Sequence, residues 1–159
     1  MRTSAGILLY REDGERAAGD ECGVDVWIAH MGGPFWARRD EHAWSIPKGE
    51  FTPPEDPLAA ALREFGEEMG WAAPAAEYDL LGTFRQSSAK SVTVFTAVAD
   101  FPGRAVHSNT FAVELPAGSG NVRDFPEVDR AGWFSIPEAR LKLVKGQAQV
   151  LDALLSRLR

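Results

Sequence analysis

Residues 4–10 (SAGILLY) and 24–30 (VDVWIAH) are apolar and rich in strand formers, which predicts two β-strands joined by the charged, glycine-bearing stretch 11–23. Gly32, Gly33 and Pro34 break the chain. A polar segment through His42 then leads into Trp44, Ser45 and Ile46, a short strand ended by Pro47, and residues 48–54 predict a loop. Asp56 followed by Pro57 reads as a helix start, because Asp caps free amides and Pro suits the first helical position. Leu58, Ala61, Leu62, Phe65 and Met69 recur at intervals of three and four as one apolar stripe, and Gly70 ends the helix. Residues 80–86 and 91–99 predict strands. The second carries Val92, Val94, Thr96 and Val98 on one face and Phe95, Ala97 and Ala99 on the other, as expected inside a sandwich. A short strand over 131–135, a helix over 137–143 and a closing helix over 147–158 follow, the last with Val150, Leu151, Leu154, Leu155 and Leu158 facing inward. Strands and helices mix without the regular alternation of a doubly wound sheet, so the pattern alone implies an α/β or α+β layered domain and does not decide its topology.

The 159 residues, 45% of them apolar, suffice for one domain spanning 1–159. Charged residues make up 25% of the chain, with 15 glycines and 10 prolines, too weak a bias for disorder, collagen or coiled coil. The formal charge of −6 opposes binding to a nucleic-acid backbone, and an anionic ligand would need a cation to mediate its contact. Cys22 is the only cysteine, which rules out an intrachain disulfide and a Cys-rich zinc site and suits a reducing, cytoplasmic compartment. The absence of a 20-residue apolar stretch leads us to expect neither a signal peptide nor a membrane span.

The informative segment is residues 49–71, GEFTPPEDPLAAALREFGEEMGW. On a helix turning about 100° per residue, Glu68 lies roughly 40° and Glu67 roughly 60° from Glu64, so three carboxylates share a face. Such neighbours repel, and a divalent cation removes the conflict. Oxygen ligands without clustered Cys or His favour Mg²⁺ or Mn²⁺ over Zn²⁺ or copper. The competing reading is a solvated acidic face, the commoner fate of a Glu-Glu pair on a helix.

The pair sits within a longer pattern. Gly49, Glu55, Arg63, Glu64, Phe65, Glu67, Glu68, Gly70 and Trp71 fill every specified position of Gly, five residues, Glu, seven residues, Arg-Glu-hydrophobic-any-Glu-Glu-any-Gly-hydrophobic. This resembles the box of the Nudix hydrolases. The resemblance implies that family's α/β/α sandwich with a mixed β-sheet, and metal-dependent hydrolysis of a phosphoanhydride bond in a nucleoside diphosphate linked to another group. It implies metal ligation by Glu64, Glu67, Glu68 and the Gly49 carbonyl, with Glu55 and Arg63 as a pair stabilising the box. A bound Mg²⁺ would neutralise phosphate oxygens and orient water, so no protein nucleophile is required.

In such a family the general base is a box Glu or a loop carboxylate. Glu127, six residues before Trp133, resembles the late acidic position and is the first candidate for an extra ligand or base; Asp129 is the second, and a surface loop acid is the competing reading. Lys48, Arg85 and Lys90 are candidate phosphate contacts, although the latter two also suit solvated strand edges. Phe35, Trp36 and Trp44 are candidate base-stacking residues, with Arg38 and Arg39 near phosphate; core packing is the alternative, and Trp44 suits it best. The scattered His30, His42 and His107 lack metal spacing and receive no role.

The segment Trp44-Ser45-Ile46-Pro47-Lys48-Gly49 is similar to the approach to the box in dinucleoside polyphosphate hydrolases, which favours a nucleoside polyphosphate (NTP or dinucleoside polyphosphate) as the small-molecule substrate. Residues 86–88 carry neither the Pro of many ADP-ribose pyrophosphatases nor the Tyr of many dinucleoside polyphosphate hydrolases. An ADP-ribose or nucleotide-sugar pyrophosphatase and a noncatalytic nucleotide sensor are the alternatives, and oligomeric state is not legible in the sequence.

Overall fold

The computed structural model describes residues 1–12 and 23–159. Cys22 and most of the loop expected over 11–23 lie outside the described residues. The elements, in order, are β1 (Arg2–Glu12), β2 (Val24–Met31), β3 (Trp44–Ser45), β4 (Lys48–Glu50), α1 (Pro57–Met69), β5 (Asp79–Ser87), β6 (Lys90–Val98), β7 (Thr110–Glu114), β8 (Val122–Pro126), β9 (Val128–Ser135), α2 (Ile136–Lys142), a 3-10 turn (Lys145–Gln147) and α3 (Ala148–Leu158).

Among the described residues, a seven-stranded mixed sheet runs β3-β2-β1-β6-β5, with β4 added to β1 and β9 to β2. The β1–β6 pair is parallel along its whole length, from Arg2 opposite Lys90 to Tyr10 opposite Val98, while the other pairs are antiparallel. Alternation along the strands divides the core into two layers. Ala5, Ile7, Leu9, Trp27 and Ala97 face α1 and meet its buried Ala60, Ala61, Phe65 and Met69. Leu8, Val26, Ile28, Val92 and Val94 face Ile136 and Ala139 of α2 and Val150, Leu151, Leu154 and Leu155 of α3. The result is the expected α/β/α sandwich, with β6 apolar on both faces because helices cover both.

Helix α1 begins and ends where its local chemistry requires. The Asp56 side chain accepts from Ala59 N at 3.1 Å, Pro57 occupies the first turn, and Gly70 closes the helix at φ 78°, a conformation that glycine adopts without a Cβ clash. Ser135 caps α2 in a reciprocal box with Glu138.

Two expectations need correction. Residues 48–50 are not loop: Ser4, Ala5 and Gly6 pair antiparallel with Glu50, Gly49 and Lys48. The sequence reading also assigned no strand between 100 and 130, where β7 and β8 form a separate hairpin with Phe111 opposite Phe125. Both are short, and the turn and polar residues around them mask any period-two pattern.

Candidate active site

Antiparallel pairing with β1 fixes β4 in the sheet, and α1 packs on it, so the flank of the helix beside Phe65 meets the Lys48–Gly49 backbone. Two of the helix carboxylates rest there. Glu68 Oε1 accepts the Lys48 N–H at 3.0 Å. The Glu64 carboxyl fills the space beside Gly49, where any added Cβ would overlap its carbon and oxygens. Only glycine admits this approach.

Arg63 holds the outer edge of the group. Its Nε and Nη2 donate to the two Glu55 oxygens, both at 2.9 Å, in a bidentate pair. Its Nη1 donates to Glu64 Oε1 at 2.8 Å and Glu67 Oε1 at 3.3 Å. The structure thus brings Glu55 and Arg63 together as the sequence pairs them. Hydrogen bonding to Arg63 holds Glu55 below the ordinary carboxyl value.

The inner carboxyls behave differently. Burial pushes Glu68 up to about 8, against the Lys48 N–H and ammonium, which favour its ionised form. Burial also raises Glu64, opposed by Arg63. Glu127 is raised by desolvation, then by the charges of Glu64 and Glu67, so from the link between β8 and β9 it lies within electrostatic reach of the cluster. Its backbone is tied to α1 through one residue: Glu127 N–H donates to Asn109 O and Asn109 N–H donates to Glu67 O, each at 2.9 Å.

Asp129, the second candidate base, is engaged elsewhere. Its Oδ1 lies 2.8 Å from Nδ1 of the fully buried His30, whose Nε2 lies 2.6 Å from Arg39 O. His30 and Asp129 therefore clamp the segment after β2 onto β9.

Of the basic candidates, Lys48 belongs to the cluster. Burial lowers its ammonium, Glu68, Glu50 and Glu64 raise it, and Lys90 lowers it, so these charges surround it. Lys90 stands opposite Arg2, which pairs with Glu50 at 3.6 Å. A cavity of about 450 Å³ opens here between Arg2, Glu50 and Phe51. Arg85 is exposed on β5 opposite Ser91, outside this group. Trp36 packs partly against the core with the Arg39 guanidinium 5.8 Å from its ring centre, Phe35 is exposed, and Trp44 is core. The sequence reading did not single out Arg2, because it precedes the first predicted strand, nor Asn109, which acts through its backbone alone.

The donor set of carboxylates and a strand carbonyl suits a hard divalent cation, and the glycine cradle that seats Glu64 fits the same use. Among the described residues, no three acidic, His or Cys side chains stand close enough to enclose an ion in their present rotamers. Arg63 supplies the positive charge between Glu64 and Glu67 and bonds only Oε1 of each, so a cation would draw on the second oxygen of each carboxylate. No helix among the described residues is long and apolar enough to cross a membrane.

The family model described as NUDIX domain matches residues 1–154. No curated protein matches the sequence at a significant level. The fold is similar to a Caenorhabditis elegans Ap4A hydrolase binary complex (TM-score 0.63, 19% identity, 99% of this chain and 98% of that one). It is also similar to the NUDIX domain of Shewanella oneidensis NrtR complexed with ADP ribose (0.60, 13%, 99% and 88%). A third likeness is the MutT protein of Methanosarcina mazei Go1 (0.57, 15%, 98% and 93%).

Proposed function

The chain belongs to the NUDIX domain family and is a Nudix pyrophosphohydrolase; from that premise we propose that it hydrolyses a nucleoside polyphosphate, an NTP or dinucleoside polyphosphate, with Mg²⁺ as its ordinary metal and Mn²⁺ as a substitute. The observation that carries this reading is the seating of Glu64 and Glu68 on the Lys48–Gly49 backbone, with Glu127 within electrostatic reach of them. A solvated acidic face would have no reason to bury a carboxyl against a strand.

Glu64, Glu67, Glu68 and the Gly49 carbonyl would hold the divalent ion. When bound, it supplies neutralisation of phosphate charge and a more acidic water. The chain's own residues do the rest. Arg63, fixed by Glu55, orients Glu64 and Glu67 through one oxygen of each. Lys48 offers a desolvated ammonium to a phosphate oxygen, stronger in the recess than in water. Glu127, with its affinity for a proton raised by desolvation and then by neighbouring charge, is suited to take one from water as general base.

The finer choice of substrate rests on the end of the sheet where Lys90 stands opposite Arg2 and within electrostatic reach of Lys48, with Arg2 lining a cavity beside its ion-pair partner Glu50. Lys48 and Lys90, with Arg2 shared between Glu50 and a ligand, suit a chain of three or more phosphates better than the single diphosphate of ADP-ribose. The Ap4A hydrolase likeness is compatible with this choice. A phosphate-release assay over NTPs, dinucleoside polyphosphates, ADP-ribose and nucleotide sugars, with and without Mg²⁺, tests it. Turnover of ADP-ribose alone would overturn the substrate assignment, and nucleotide binding without turnover would mark a sensor.

A further inference from the structure

The proposed metal site depends on where the backbone of residues 46–49 lies, and three groups from distant parts of the chain fix it. Ile7 N–H donates to Pro47 O at 3.0 Å, which is strand contact. Lys48 N–H donates to Glu68 at 3.0 Å, which ties the segment to α1. Ile46 N–H donates at 2.9 Å to the side-chain Oε1 of Gln147, 101 residues further on, in the 3-10 turn ahead of α3.

Gln147 is fully buried beside the apolar core of Leu143, Val150 and Leu151. Its Nε2 donates to Ser45 Oγ at 3.0 Å and Gln86 Oε1 at 3.3 Å, and the Ser45 hydroxyl donates in turn to Ile46 O at 2.8 Å. Ile46 lies between β3 and β4, where strand pairing lapses. Both of its backbone polar groups are therefore held by side chains, and both lead back to one amide. A buried primary amide is costly unless its oxygen and both hydrogens are satisfied, and here all three have partners. An apolar side chain would fill the same volume in this core, so what the amide adds is the placement of the Ile46 peptide.

We propose that Gln147 is the positioning residue of the metal site: through Ile46 it sets the Gly49 carbonyl and the Lys48 side chain against Glu64 and Glu68. This rests on the functional reading above. The bond to Gln86 extends the same hold to β5, and the next side chain but one repeats it, with Gln149 Nε2 donating to Arg85 O at 2.8 Å. The carboxy-terminal helix thus registers the strand carrying Arg85 with the segment that leads into the carboxylate site.

The test is Gln147→Met, which keeps length and bulk but removes the amide. Calorimetric titration of Mn²⁺ without nucleotide should show affinity reduced about tenfold, the scale seen when a partner behind a metal ligand is lost, with kcat falling similarly. Hydrogen exchange should quicken at the Ile46 and Lys48 amides. Leu154→Ala, a cavity in α3 remote from this network, serves as the stability control and should lower the Tm at least as much while leaving Mn²⁺ affinity unchanged. Wild-type Mn²⁺ affinity in Gln147→Met overturns the proposal, as does an equal loss of affinity in Leu154→Ala. Should Gln147→Met fail to fold, Ser45→Ala decides, since it removes the acceptor of Nε2 and the donor to Ile46 O: weakened Mn²⁺ binding supports the proposal and wild-type binding overturns it. Absence of Mn²⁺ binding by the wild-type protein would instead bring down the functional reading, and the inference with it.

Discussion

The carboxyl of Glu64 occupies the space into which a side chain at Gly49 would grow. Helix and strand approach so closely that the carboxyl lies directly over the Gly49 Cα, an approach that a site built from both residues needs. Gly49→Ala is therefore expected to displace Glu64 while leaving the core untouched. Metal-dependent turnover should fall by about 100-fold or more, since small misplacements of reacting groups carry penalties of that order. The far-ultraviolet circular dichroism should stay native. A variant as active as wild type would remove the Gly49–Glu64 contact from the site.

Glu68→Gln tests the buried carboxyl. The glutamine oxygen can still accept the Lys48 N–H, so the backbone contact survives and the charge is lost. Mn²⁺ affinity should weaken and turnover fall on the order of 100-fold, equivalent to roughly 3 kcal/mol in the transition state. Without metal the variant should melt at or above the wild-type Tm, because a carboxyl raised to about 8 by desolvation makes a poor buried anion. Equal affinities and equal rates would exclude Glu68 as a ligand.

The legibility of this site differs from residue to residue. The α1 stripe, its Asp56 cap and Gly70 stop, and the seven-residue spacing between Glu55 and Arg63 are local, so the sequence displays them, and the structure repeats them in the helix and the bidentate pair. The hairpin of β7 and β8 escapes because five-residue strands flanked by polar turns carry too few alternations to stand out. Gln147 escapes for another reason. Its partners Ile46 and Ser45 lie about a hundred residues away, and nothing in the local pattern separates a buried glutamine before a helix from an exposed one.

Arg63→Ala separates a positioning role from a stabilising one. Arg63 is exposed and Glu55 half-buried at the surface, so water screens the pair and it should contribute little to the melting temperature. Its Nη1 also orients Glu64 and Glu67, and without it these like charges lose their shared counter-ion. The expected result is a Tm within a few degrees of wild type together with a severalfold or greater loss of turnover. An unchanged rate would confine Arg63 to the surface.

Asp40 should make part of the fold acid-sensitive. Lys142 Nζ donates to its oxygens at 3.0 and 2.9 Å and Trp44 Nε1 donates at 2.9 Å, and these bonds, Lys142 first, hold its carboxyl below the ordinary 3.8. A folded-state value depressed in this way contributes stability above the unfolded value, and the contribution fades as pH falls through the folded one. Asp40→Asn should therefore lower the Tm slightly at pH 7 and leave it equal to wild type near the acid limit of folding. A Tm difference that does not change with pH would dissociate the effect from this carboxyl.

Glu127, in the link before β9, and Asp129, the second residue of β9, should respond in opposite ways. Glu127 lies within electrostatic reach of Glu64 and Glu67 and accepts no side-chain hydrogen bond among the described residues, so Glu127→Gln should cost little stability. If it takes the proton from water, kcat should drop about 100-fold, the usual contribution of a positioned base, with Mn²⁺ affinity nearly unchanged. Asp129 instead reaches from the surface to Nδ1 of the buried His30. The Arg39 carbonyl and the Asp129 carboxylate both accept, so each ring nitrogen of His30 donates to one of them. Asp129→Ala leaves Nδ1 buried without a partner, a loss of roughly 1 to 3 kcal/mol in stability, and kcat at a temperature well below the Tm should stay close to wild type. Urea melts and metal-saturated rates on both variants decide the assignment. A stable, inactive Asp129→Ala beside an active Glu127→Gln would exchange their roles, and would require His30 to tune a catalytic carboxylate rather than brace the segment after β2.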